Sequence, residues 1–148
     1  MPDRRAVLFA LAAAPALAAG AARAASRVHA VSGIAIGGVD PVGYFREGRV
    51  VQGAPEIAVM WRDAIWHFAS AETRMAFEND PRRFAPAYGG YCAYAVSENY
   101  LAPIDPSAWT LHEGRLYLNA GRRAQRLFRA DLPGRIAAAE RNWPGVLR

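Results

Sequence analysis

The chain contains no lysine and only one cysteine, Cys92. A lone cysteine excludes an internal disulfide. It also excludes the paired-thiol spacing of a zinc ribbon or a dithiol redox motif. The histidines, His29, His67 and His112, fall at no H-x-x-x-H spacing, so a metal site would have to be assembled from separate segments. All of the positive charge is arginine, and the net charge of +5 is spread along the chain. That lacks the cationic stripe that nucleic-acid binding requires, and nucleic acid is not an expected partner. The paired arginines Arg82-Arg83 and Arg122-Arg123 are expected to be solvated charges. No serine sits in a nucleophile-elbow pattern, and no acidic residue is placed to orient a histidine. "GIAIGG" lacks the third glycine and the following helix of a dinucleotide fingerprint.

The front does have a recognisable order. "DRR" precedes the apolar run "AVLFALAAAPALAAGAA", and "ARA" ends at Ala24. This reads as a cleavable export signal over residues 1–24, cut after Ala24. Arg4-Arg5 gives it a twin-arginine character, with Asp3 where Ser or Thr is usual, so Sec export stays open. No cysteine follows the run, which excludes a lipid anchor, and Pro15 and Gly20 interrupt it, so no stable membrane anchor is expected after cleavage. The expected location is periplasmic or secreted. The remaining body of about 125 residues suits one domain, with 15 basic against 12 acidic residues.

Residues 25–32 read as a flexible lead, and residues 33–148 as one α+β domain of β-hairpins with short helices packed on them. A strand is expected near Ile34–Ile36, and Asp40 is placed to cap a helical turn begun by Pro41. "EGRVVQG" reads as a hairpin. Strands at 57–61 and 65–68 flank a turn at Arg62-Asp63-Ala64. Ser70 caps a helix that Asp80-Pro81 ends. Tyr91–Val96 reads as a short strand or turn. Residues 109–112 and 115–119 alternate around Glu113-Gly114 as a second hairpin. A helix to Ala130, a break near Pro133-Gly134 and a helix ending at Asn142 complete the chain.

Several segments together, "GVDPVGYF", "IWHFAS", "DPRRFAPAYGGYCAYAVS", "DPSAW", "GRLYLN" and "NWP", resemble the secreted YHS-domain proteins of bacteria, over most of residues 33–144. The resemblance implies a small α+β binding fold related to metal-binding modules. Cysteine-bearing forms have "DPVCG" and "F-C-S" segments; here Gly43 and Ala69 occupy the cysteine positions.

Thiolate and imidazole suit Cu(I) or Zn(II). If the chain is an exported metal-binding or metal-handling module, Cys92 and His67 are the leading ligands and His112 a third. A metal-free alternative binds a small ligand or a partner protein through an aromatic Tyr-Gly-Gly surface formed by Tyr88, Gly89, Gly90 and Tyr91. Neither reading makes the protein an enzyme. Thiol-dependent activity would require Cys92 to be an accessible thiolate, whereas its neighbours point to a buried thiol that packs as a small hydrophobe. His67, between Trp66 and Phe68 on a strand, points away from the face those aromatics share.

Overall fold

The structure is a computed structural model and describes residues 24–148; the export signal expected over residues 1–24 lies, but for Ala24, outside the described residues. The chain folds as one small α+β domain. Four strands form a mixed sheet in the order β1-β2-β4-β3: β1 (Ala30–Val31), β2 (Ile34–Ala35), β3 (Ala54–Trp61) and β4 (Ala64–Phe68). β2 runs parallel to β4, and the other neighbours are antiparallel. A second, two-stranded sheet pairs β5 (Asp105–His112) with β6 (Arg115–Asn119). Six helices complete the body: α1 (Pro41–Arg46), α2 (Ala71–Asn79), α3 (Pro81–Phe84), α4 (Ala93–Ser97), α5 (Arg122–Ala130) and α6 (Leu132–Asn142). Among the described residues no helix is long and apolar enough to cross a membrane.

Aspartate-proline pairs set several boundaries. Asp40 accepts from the Val42 N–H at 2.9 Å and Asp80 from the Arg83 N–H at 3.3 Å, each just before a helix that opens on proline. Both satisfy N-terminal amides that no helical carbonyl can reach. Asp105, at the start of β5, takes the Ser107 N–H at 2.9 Å and the Ser107 hydroxyl at 2.7 Å. Ser70 caps α2 through the Thr73 N–H at 3.2 Å.

Asp40 does more than cap. It is fully buried, and its second oxygen accepts from the Ala69 N–H at 2.9 Å and the Thr73 hydroxyl at 2.6 Å. One carboxylate therefore ties the start of α1 to the end of β4 and the first turn of α2.

Two apolar clusters make up the core. The first gathers Trp66, Phe68 and Phe77 beneath the four-stranded sheet with Tyr44, Ile36 and Val28. The second gathers Tyr88, Phe128, Val96 and Ala139 beneath α4, α5 and α6. β6 belongs to both, with Leu116 and Leu118 in the first and Tyr117 in the second, as period-two alternation requires.

Four local expectations are corrected. Residues 25–32 are not a loose lead: Val28 is buried, the Ala25 N–H donates to Leu147 O, and the His29 N–H donates to Gly89 O, both at 2.8 Å. "EGRVVQG" forms no hairpin and makes one isolated bridge, Val39 to Gln52. Tyr91–Val96 is no strand: from Ala93 on it is the helix α4, held from outside by the Asn142 side chain donating to Val96 O and Ser97 O. The break between the last two helices falls at Asp131, so Pro133 and Gly134 lie in the first turn of α6, capped by Asp131.

Candidate functional site

The three expected metal ligands stand in separate surroundings. Cys92 is 1% exposed, and its thiol faces Asn119 Oδ1 at 3.7 Å. That oxygen also accepts the Tyr94 N–H at 3.1 Å, while Asn119 Nδ2 is buried with no partner among the described residues. His112 lies at the exposed end of the β5–β6 hairpin, 3.9 Å from its neighbour Glu113. His67 lies in the middle of the four-stranded sheet, opposite Ala58 of β3. Among the described residues no three His, Cys, Asp or Glu side chains gather as a metal site would require.

At Gly43 the fold leaves no room for a side chain, and so none for the thiol that the resemblance would place there. A Cβ there would fall 2.6 Å from Val51 Cγ2 and 2.7 Å from Val51 Cβ. The segment before β3 fills that space.

The burial of Cys92 has a direct chemical consequence. A disulfide reagent such as Ellman's is expected to label it in denaturant at the rate of a free thiol, and about a hundredfold or more slowly in the folded protein, because reaction must wait for an opening. Rapid stoichiometric labelling of the native protein would revive the thiol-enzyme reading.

The Tyr-Gly-Gly segment is largely consumed by the fold. Tyr88, Gly90 and Tyr91 are buried. The Tyr91 hydroxyl donates to Ser26 O at 2.9 Å, and its ring packs 5.3 Å from that of His29. Burial lowers the pKa of His29 and raises that of Tyr91. Gly89 and Gly90 adopt positive φ, 63° and 81°. A Cβ on Gly89 would collide with the Arg27 carbonyl oxygen, and one on Gly90 would lie 2.8 Å from Ile36 Cγ2. The glycines admit the 25–32 segment; Gly90 and Tyr91 do not form an open ligand surface.

Tyr88 and Gly89 nevertheless line a cleft of about 250 Å³ at the seam of the two cores, with Trp61, Arg62, Arg82, Arg115 and Trp143 around it. Arg62, in the β3–β4 turn, stacks over Trp61 at 4.4 Å from the ring centroid. Partial desolvation, and then the nearby Arg82 and Arg27 guanidiniums, lower its pKa. Arg27, Arg62 and Arg82 make no ion pair within 4 Å among the described residues. On the opposite wall Glu140 accepts from Arg115 at 3.0 Å and from the Tyr88 hydroxyl at 3.2 Å. Burial first, and then the Glu140 charge, hold Tyr88 protonated well above the ordinary tyrosine range. The one acid on the cleft is therefore matched, and the surplus charge is cationic.

Arg62 and Arg82 were not candidates from sequence. Residues 27, 62, 82 and 115 come from four separated segments and share no periodicity that would mark a common site. No family model, curated protein or solved structure matches the chain.

Proposed function

We propose that the chain is an exported, YHS-type binding module that holds a small organic anion, without a metal, in the cleft beside Tyr88 and Gly89. The observation that carries this reading is that Arg62 and Arg82 both line the cleft, cations with no carboxylate partner among the described residues. Like charges are unfavourable together and are relieved by a bound anion. Planar guanidiniums suit carboxylate or phosphate, and the Trp61, Trp143 and Tyr88 walls suit a flat apolar body. The export reading is supported by the order of residues 1–24. The scattered positions of Cys92, His67 and His112 give the metal reading no comparable support.

Phenyl phosphate is a suitable probe, because Trp61 and Trp143 line the cleft and report through fluorescence. A saturable change is expected, weakening as salt is raised. The double variant Arg62→Ala/Arg82→Ala is expected to raise the Kd by about tenfold or more. Both side chains are exposed, so the variant keeps its fold. No saturation, or equal affinity in the double variant, would overturn the reading.

A further inference from the structure

His67 has a setting that the anion cleft does not explain. It is 7% exposed, and it lines a separate pocket of about 320 Å³ with Val31, Ile34, Gly37, Gly38, Gln52 and Pro55. The strand alternation that sends Trp66 and Phe68 into the core sends His67 to this opposite face. No hydrogen bond within the protein uses either ring nitrogen among the described residues, and neither nitrogen is sealed from solvent: the imidazole opens on the pocket. The free polar group therefore faces the pocket.

The glycines keep that space open. Gly37 and Gly38 have positive φ, 72° and 75°, and a Cβ on Gly38 would lie 3.0 Å from His67 Nδ1. Gln52 Nε2 donates to Gly38 O at 3.1 Å and approaches Gly53 O at 3.5 Å. Its amide oxygen is left as a second free acceptor. No arginine or carboxylate lines the pocket, so an anion, a cation or a metal would lack a counter-charge there. What remains is an apolar bowl with one imidazole, a donor and an acceptor when neutral, and one amide oxygen.

We propose that this pocket is a second ligand site, for a small uncharged molecule with an apolar body and one hydroxyl, of the phenol or short-alcohol class. The hydroxyl accepts from the imidazole N–H and donates to the Gln52 amide oxygen. The apolar body lies against Val31, Ile34 and Pro55. This site is independent of the arginine cleft.

Phenol is the probe, followed by the imidazole nitrogen resonances of His67 in the full chain. Expected is a saturable shift with a millimolar or tighter Kd, within reach of a ligand of about seven heavy atoms. His67→Phe and Val31→Trp are each expected to weaken binding by about tenfold or more, and toluene, which lacks the hydroxyl, to bind at least about tenfold more weakly. Val31 is 65% exposed, so Val31→Trp narrows the mouth without entering the core and decides the matter if His67→Phe fails to fold. Arg62→Ala/Arg82→Ala is expected to bind phenol as the wild type does, which separates this site from the anion cleft. Absence of saturation, unchanged affinity in Val31→Trp, or equal binding of toluene would overturn the proposal. So would ring resonances that respond to Zn(II) and not to phenol.

Discussion

Replacing Asp40 with alanine is expected to cost about 3–5 kcal/mol, because three donors inside the fold lose one charged acceptor together. The donors are the Val42 N–H, the Ala69 N–H and the Thr73 hydroxyl, and the carboxylate is fully buried among them. In a domain of this size the loss corresponds to a fall in Tm of roughly 10–20 °C. Asp40→Asn keeps the shape but turns an NH2 group toward donors, and an intermediate loss of about 2 kcal/mol is expected. Thr73→Val removes one of the three bonds and is expected to cost about 1 kcal/mol. Urea denaturation of the three variants checks the order, and an Asp40→Ala loss below that of Thr73→Val would refute the hub.

Gly53→Ala is expected to be nearly as damaging, for a steric reason. An added Cβ would lie 2.6 Å from both the carbonyl carbon and the Cβ of His67, and 2.7 Å from Gly38 O. Two of these are backbone atoms and the third is fixed to it, so no side-chain rotation relieves the overlap. The strand must move away and lose the Gly53 N–H bond to Gly38 O, 2.9 Å long. A loss of about 3 kcal/mol or more is expected. Gly121→Ala is the control: its φ of 170° is ordinary extended backbone, and nothing lies within 4 Å of an added Cβ. It is expected to change stability by less than about 0.5 kcal/mol. Comparable denaturation midpoints for the two variants would show that β4 and the Gly38 loop can separate at little cost.

These two sites mark what sequence can and cannot convey. The caps at Asp40 and Ser70, and the helix end at Asp80-Pro81, were legible because a short polar side chain before a helical segment, or a proline, acts on atoms a few residues away. The β5–β6 hairpin was legible for the same reason, with Glu113-Gly114 between alternating runs. That Asp40 also reaches Ala69 and Thr73 depends on chain distant in sequence, and nothing local announces it. The helix α4 was missed because five residues are too few to hold a helix by themselves, and this one is fixed by Asn119 and Asn142 from other elements.

The candidate sites divide along the same line. The small, close-packed neighbours of Cys92 correctly suggested a buried thiol, because packing around a residue is partly written in its neighbours. Alternation placed His67 opposite Trp66 and Phe68, but that its face meets Gly38 and Gly53 follows from the mixed sheet. Tyr88 and Gly89 were noticed for composition alone. The arginines that give their cleft its charge meet only through the tertiary fold.

The double membership of β6 has a mechanical meaning. Because Leu116 and Leu118 face one core and Tyr117 the other, the strand is a party wall shared by both. Losing the strand would open both cores at once, so the two are expected to unfold together. The anion cleft straddles that wall, with Trp61 on one side and Trp143 on the other. An occupant there would act as a rivet through both cores, and its binding energy would be felt as resistance of the chain to unfolding.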